Sequence, residues 1–370
     1  MHVFTNDRAS RRQTGVTLVE LMVSLVLALL LTAGIIKVFS GNHVTYEFNQ
    51  SLSRIQENAR FALDHIAYDA RMAGYKGCIS NVKVYNNLNA PNNFRDDLQN
   101  GIQGFDANGT SDGDSYGATA TNPAPSSDVN AWTPALPPEL TDKVIPGSDV
   151  LVVRGVSGAG VSLASPFTNA AQIFVSPDHD FAEGEILVVS DCQKASIFQV
   201  TSVNAIPNHN IVHSKDSTQT PGNAIADWPP EQAYGLGAEA GRLQTQAFYV
   251  GQGANGAPAL FQLRLARQSA KQSSFQPEEL VENIETLQVR YGLDTDADEA
   301  IDNWVTADAV TDWLNVLSVE LTLLARAPEE YGTDVDDVDY TLGATTFNPV
   351  DDRRLRQVFS TTISVRNRLP

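Results

Sequence analysis

An acidic stretch near the C-terminal third, DTDADEAID, has the residue types and spacing of a cation site. Carboxylate oxygens are the usual protein ligands of Ca²⁺, and four aspartates follow the spacing of the first part of a calcium loop: Asp294, Asp296, Asp298 and Asp302. Glu299 stands where such a loop needs glycine, and Val305 stands where the bidentate glutamate belongs. The pattern excludes an EF-hand. It leaves a looser Ca²⁺ cage or, as the favoured interpretation, a solvated acidic turn.

Three other patterns could indicate cofactor or metal chemistry, and their sequence context argues against each. Residues 251–256, GQGANG, fit G-x-G-x-x-G, but strand-like sequence follows where a dinucleotide site needs a helix. His209 and His213 lie in extended-looking sequence, in which four residues span about 13 Å. Cys78 and Cys192 are far apart and do not form a metal-binding pattern. We therefore expect no enzyme, no cofactor and no metal beyond the weak calcium candidate.

A single carboxylate interrupts the long apolar run near the N-terminus. Glu20 is the only ionisable residue from Val16 to Ile36, a run long enough to cross a bilayer as a helix. Because a charge near the centre of such a helix costs roughly 2.5–3.5 kcal/mol, Glu20 calls for a specific role. The basic residues around the run put its N-terminus in the cytoplasm and the rest of the chain outside: Arg8, Arg11, Arg12 and Lys37. A cleaved secretory signal would have a shorter apolar core.

The stretch GVTLVEL, residues 15–21, closely resembles the processing site of type IV prepilins, which has a basic leader, a glycine and a glutamate fifth after the cut. The resemblance implies cleavage between Gly15 and Val16 and N-methylation of Val16. The family usually has Phe in the first mature position, so Val16 departs from its pattern. The resemblance also implies that Glu20 acts in assembly by facing the N-terminal amine of a neighbouring subunit. The alternative is that Glu20 pairs only with the N-terminal amine of its own chain.

Three further stretches resemble PilW-type minor pilins, namely residues 52–78, VSDCQKASIFQVT and the ending DRRLRQVFSTTISVRNRLP. The resemblance implies an assembly subunit that primes the pilus near its tip, below at least one other minor pilin. The partners it implies are the prepilin peptidase, other minor pilins, the major pilin, the inner-membrane assembly machinery and a large tip adhesin. The alternatives are a type II secretion pseudopilin and a membrane-anchored periplasmic binding module that never polymerises.

Composition and cysteine content fit an exported, non-nucleic-acid-binding protein. The net charge of −19 argues against phosphate-backbone binding. The arginines that crowd the C-terminus, at 353, 354, 356, 366 and 368, are interpreted as a solvated edge strand. The pair Cys78 and Cys192 fits one disulfide in an exported protein, although two free thiols in a cytosolic protein would look the same. With the head outside the cell membrane, we expect the Cys78–Cys192 disulfide.

The remaining sequence predicts an α+β fold, in which a long N-terminal pilin helix packs on a mainly antiparallel sheet. A stripe of apolar residues at helical spacing extends the anchor helix through residues 38–74: Phe48, Leu52, Ile55, Ala59, Leu63, Ile66, Ala70 and Ala73. Gly74 and Gly77 are expected to end it. Strand-like runs then follow. The expected divisions are a leader (1–15), a transmembrane helix (16–37), its amphipathic continuation (38–74) and a β-rich head (75–370). Residues 86–147, rich in Asn, Gly, Ser and Pro, are expected to form an irregular insertion that buries little apolar area.

Overall fold

The computed structural model describes most of the chain. The chain divides into two compact units, residues 1–51 and residues 52–370. The described residues are 15–77, 82–167, 170–191, 193–204, 209–216, 218–331, 334–365 and 367. Helix α1, Leu18–Arg71, contributes to both units.

In the first unit, the apolar side chains of helix α1 are exposed on its surface. Every residue from Val16 to Ile36 is exposed, and this part of the helix is long and apolar enough to cross a membrane. Glu20 is its only charged residue before Lys37. The expected segment 16–37 is therefore helical from Leu18 onward, and its position in a membrane stays a prediction.

In the second unit, the amphipathic pattern of α1 becomes a buried face, as the spacing predicts. The residues with exposures of 8% or less form that face: Ile55, Ala59, Ala62, Leu63, Ile66, Ala67 and Ala70. The helix ends at Arg71, and Gly74 follows with φ of +74°, a conformation that glycine adopts without steric cost. The amide of Gly74 donates to the carbonyl of Arg154 (2.8 Å), which joins the end of the helix to the sheet.

The rest of the second unit consists of strands, a one-turn helix α2 (Asn93–Asp96) and short 3-10 turns. The strands are β1 Lys83–Asn86, β2 Ile102–Ala107, β3 Ser115–Gly117, β4 Trp132–Thr133, β5 Val150–Ser162, β6 Gln172–Phe174, β7 Ile186–Ser190, β8 Lys194–Gln199, β9 Ser202–Asn204, β10 Asn210–Val212, β11 Glu239–Gln252, β12 Pro258–Ser269, β13 Gln272–Glu282, β14 Ile284–Leu293, β15 Asn303–Val305, β16 Val316–Arg326, β17 Tyr340–Leu342, β18 Thr345–Asn348 and β19 Arg356–Ser364.

Two sheets dominate this unit. The larger has the order β1-β8-β7-β11-β5-β2-β4, with β12 and β13 added beside β11, and the smaller has the order β15-β14-β16-β19. Almost every pairing is antiparallel; β1 with β8 and β3 with β18 are parallel. Helix α1 shares one hydrophobic core with both sheets, in which Ile66 of the helix joins Phe248 of the larger sheet and Leu321 of the smaller. The α+β prediction is confirmed.

The polar segment from residue 86 to residue 147 is irregular over most of its length, but the prediction that it buries little apolar area is wrong. It contains strand β2, which pairs with β5 inside the larger sheet. Its scattered apolar residues form a buried cluster with the sheet: Phe94, Phe105, Trp132, Leu136, Leu140 and Val144. The Asn- and Gly-rich turns between them connect core residues instead of leading away from the fold.

Candidate functional site

The N-terminal residues of the apolar helix form a reciprocal hydrogen-bonded cap. The amide of Glu20 donates to the Thr17 hydroxyl (3.3 Å), while the amide and the hydroxyl of Thr17 each donate to Oε2 of Glu20 (3.2 Å). This is a capping box, in which Thr17 and Glu20 satisfy amides that the helix leaves unpaired. The T-x-x-E spacing is the sequence signature of this role, which the interpretation of Glu20 as an assembly residue did not include.

The second carboxylate oxygen of Glu20 is not used by the cap. Both bonds from Thr17 reach Oε2, and Oε1 makes no hydrogen bond within the described part of the chain. Gly15 and Val16 precede the cap outside the helix, and both are exposed. A cut between them would leave the Thr17 amide in its peptide bond, so the cap would persist in a chain that begins at Val16.

The acidic loop brings together three of its four candidate aspartates. Asp294, Asp296 and Asp302 each place a carboxylate oxygen within 4.8 Å of the others, between β14 and β15; Asp298 is outside this group. The negative charges of Asp298 and Asp302 raise the pKa of Asp296. Asp294 and Asp302 also accept hydrogen bonds from the loop's own amides, such as that of Ala297 (2.7 Å). These bonds are made within the loop itself, and Ca²⁺ binding stays a prediction.

The other sequence patterns occupy ordinary structural positions. Residues 251–256 lie at the β11–β12 hairpin, as expected, with Gln252 opposite Pro258. His213 is fully buried against Trp228, with ring centroids 4.5 Å apart, and burial lowers its pKa to about 4. Cys78 and Cys192 both lie outside the described residues, so the disulfide stays a prediction.

A pair of buried aspartates joins the two sheets, and no sequence signal indicated it. Asp149 accepts hydrogen bonds from the amides of Ala107 and Val289 (both 2.9 Å) and a longer one from the Thr110 hydroxyl (3.3 Å). These residues belong to β2, β14 and the turn after β2. Since Asp149 itself precedes β5, one carboxylate bridges both sheets. Burial raises the pKa of Asp149 well above its usual range, the nearby charge of Asp106 adds to the rise, and the hydrogen bonds from Ala107 and Val289 oppose it.

The neighbouring Asp106 is also buried, and its pKa is raised as well. Burial raises the pKa of Asp106 to about 7; the Ser111 hydroxyl, which donates to it (2.7 Å), opposes the rise, and the nearby charge of Asp308 adds to it. Below this pH the folded protein keeps Asp106 neutral, whereas an unfolded chain ionises it near pH 4. Asp106 therefore lowers the free energy of unfolding increasingly as the pH rises from about 4 to about 7, and by a constant amount above that.

Replacing this buried acid by its neutral isostere should stabilise the head at alkaline pH. Asp106→Asn can still accept from Ser111, and it removes the cost of ionising a buried group, so we expect about 2–4 kcal/mol of added stability at pH 8 and almost none at pH 4. Urea unfolding of the detergent-solubilised chain at both pH values measures this. Asp114→Asn, at an exposed position, removes the same charge and should change stability little. Equal stability of Asp106→Asn and the parent chain at pH 8 would contradict the protonated assignment.

The C-terminal arginines are not uniformly solvated, which corrects their interpretation as a solvated edge strand. Arg353 is half-exposed and pairs with Glu330 (2.6 Å). The side chain of Arg356 is fully buried and pairs with Glu285 (2.7 Å), Asp352 (2.8 Å) and Asp336 (3.0 Å). Burial opposes its charge, but the hydrogen bonds to Glu285 and Asp352 outweigh that effect and raise its pKa. Arg366 and Arg368 lie outside the described residues.

Two family models match parts of the chain. Residues 10–36 match the prokaryotic N-terminal methylation motif, and residues 247–367 match the type IV pilus-assembly protein W. The second match runs from within β11 to just past β19. No curated protein matches the chain. Among solved structures, a type IV-like pilin from Thermus thermophilus is similar at 12% identity, covering 86% of this chain and 98% of that chain, with a TM-score of 0.32. So distant a likeness does not bear on the fold.

Proposed function

We propose that this chain, a PilW-type minor pilin of the type IV pilus by its two matching segments, is cleaved after Gly15 and enters the pilus through its N-terminal helix. One observation carries the proposal. The same chain has the methylation motif at residues 10–36 and the pilus-assembly match at residues 247–367. The first supports membrane anchoring and processing, and the second supports a role as a structural subunit rather than a catalyst.

Before assembly, the subunit would wait in the inner membrane with its N-terminus in the cytoplasm and its head in the periplasm. The exposed apolar face of residues 16–36 supports a position in lipid. The prepilin peptidase would cut between Gly15 and Val16, and the new amine of Val16 would be methylated. The subunit would then join other minor pilins, the major pilin and the inner-membrane assembly machinery, near the tip and beside a large adhesin.

The processing step can be separated from folding by substitutions at the cut. Gly15→Val should leave the leader attached and keep the chain out of pili, because the peptidase recognises glycine before the cut in the resembled family. A side chain at this position would meet no atom within 4 Å among the described residues, so the fold should be unaffected. Val16→Phe, which restores the usual family residue, serves as the control and should be cleaved. Chain mass and pilus content of both variants measure the effect; complete cleavage of Gly15→Val would contradict the assignment.

A further inference from the structure

Strand β19 pairs with β16 along one edge only. The amide of Val365 donates to Leu317 (2.8 Å), and the amide of Ala327 donates to Leu355 (2.7 Å), so these two bonds bracket the ladder. In an antiparallel ladder, bonded and non-bonded positions alternate. The odd-numbered residues of β19 therefore bond to β16, and the even-numbered ones turn their N–H and C=O groups outward: Val358, Ser360, Thr362 and Ser364. Within the described residues these outward groups have no backbone partner.

The other sheet edges of the described head are short or protected, and this one is neither. The remaining edge strands have two to four residues each, apart from β13. Strand β13 carries Pro277, Glu278 and Glu279, the residue types that discourage strand pairing. Strand β19 has nine residues, and from Gln357 to Ser364 it has no proline and no charge. An edge of this length and composition is a template for another strand.

The side chains of β19 specify the pattern of the strand that would fit. On one face, Ile363 is buried and Phe359 is only partly buried against the core that α1 shares with the two sheets. On the other face, Ser360, Thr362 and Ser364 are exposed. An added strand would therefore place apolar residues beside Phe359 and polar residues beside the hydroxyls, alternating with a period of two.

We propose that β19 takes up an amphipathic β-strand from the head of a different pilus subunit, so that the sheet β15-β14-β16-β19 continues into its neighbour. Main-chain hydrogen bonds would supply the affinity, and the alternating side chains the selectivity. A second copy of this chain is disfavoured because two copies with a net charge of −19 repel each other. The proposal rests on the function proposed above and names the surface through which the subunit meets its partner.

A photocross-linker at Ser360 in the full chain, expressed in its own cells, tests the contact in assembled pili. We expect cross-links from Ser360 to strand residues of a different pilin head, at least tenfold more than from a cross-linker at Glu278 on β13. Three results would overturn the proposal: cross-links to a second copy, equal yields at the two sites, or no cross-link at Ser360. If one of these results is obtained while the chain is found in pili, only this inference fails. If it is neither cleaved at Gly15 nor found in pili, the proposed function fails as well.

A substitution on the outward edge provides the matched test. Thr362→Pro removes an outward N–H while leaving the ladder to β16 intact, a position at which edge strands tolerate proline. It should lower the Ser360 cross-link at least tenfold, whereas Thr362→Val, which keeps the amide, should not. Unchanged cross-linking in Thr362→Pro would contradict strand addition. If this variant does not fold, the Ser360 and Glu278 comparison in the unsubstituted chain decides the matter alone.

Discussion

Arg356→Ala should destabilise the head by about 3–5 kcal/mol, because it leaves buried carboxylates without their main partner. Arg356 Nε donates to Glu285 (2.7 Å), and its Nη1 donates to Asp352 (2.8 Å) and Asp336 (3.0 Å). Among the described residues, the side chain of Glu285 keeps only a longer contact to Arg326 (3.7 Å) once Arg356 is removed. The network also fixes the start of β19 against β14, so its loss should loosen the strand that carries the free edge.

The neighbouring arginine gives a matched control. Arg353 pairs with Glu330 at a site where both side chains are well exposed, 48% and 39%, so Arg353→Ala should change stability by less than about 1 kcal/mol. Urea unfolding of the two variants at pH 7 measures the difference. A loss of 1 kcal/mol or less for Arg356→Ala would show that the buried network contributes nothing beyond an ordinary surface pair.

Glu20→Gln should abolish co-isolation with other minor pilins although it preserves the helix cap. Glutamine can take the place of glutamate in a capping box, so the bonds between residue 20 and Thr17 should persist. What it loses is the charge. If the free Oε1 of Glu20 meets the N-terminal amine of a neighbouring subunit, the ion pair lowers the cost of burying both charges in the pilus core, and the neutral variant cannot replace it.

Comparison with Glu20→Ala separates the two roles of this residue. The alanine variant loses the charge and the two bonds that Thr17 donates to the side chain of residue 20. It should fail in assembly like Glu20→Gln, while both variants are still cleaved after Gly15. Pilus number and recovery of minor pilins with the processed chain are the measurements. Normal assembly of Glu20→Gln together with failure of Glu20→Ala would assign Glu20 to capping alone. Normal assembly of both would remove it from assembly altogether.

The parts of the fold that follow a period were predictable from the sequence. The stripe through Ile55, Ala59 and Ile66 repeats at helical spacing and is buried as expected. The core residues of the 86–147 segment were missed because Phe94, Trp132 and Leu140 are isolated in polar sequence without a period of two or 3.6. Tertiary pairing with β5 and the rest of the larger sheet, rather than local pattern, makes them core.

The candidate sites were likewise predictable only where the signal is local in the sequence. Glu20 was found because an acid in an apolar run is visible locally, yet its capping bonds to Thr17 were overlooked. Arg356 looked like a surface charge since its partner Glu285 is 71 positions away in sequence. Asp106 could not be singled out either, because its raised pKa depends on burial that only the folded sheets create.

The intact mass of the chain recovered from sheared pili decides whether the protein is a processed minor pilin. We expect a chain that begins at Val16 with one added methyl group and that is enriched in the pilus fraction. A chain that retains residues 1–15, or that begins elsewhere and stays in the membrane, would contradict its assignment as a processed minor pilin.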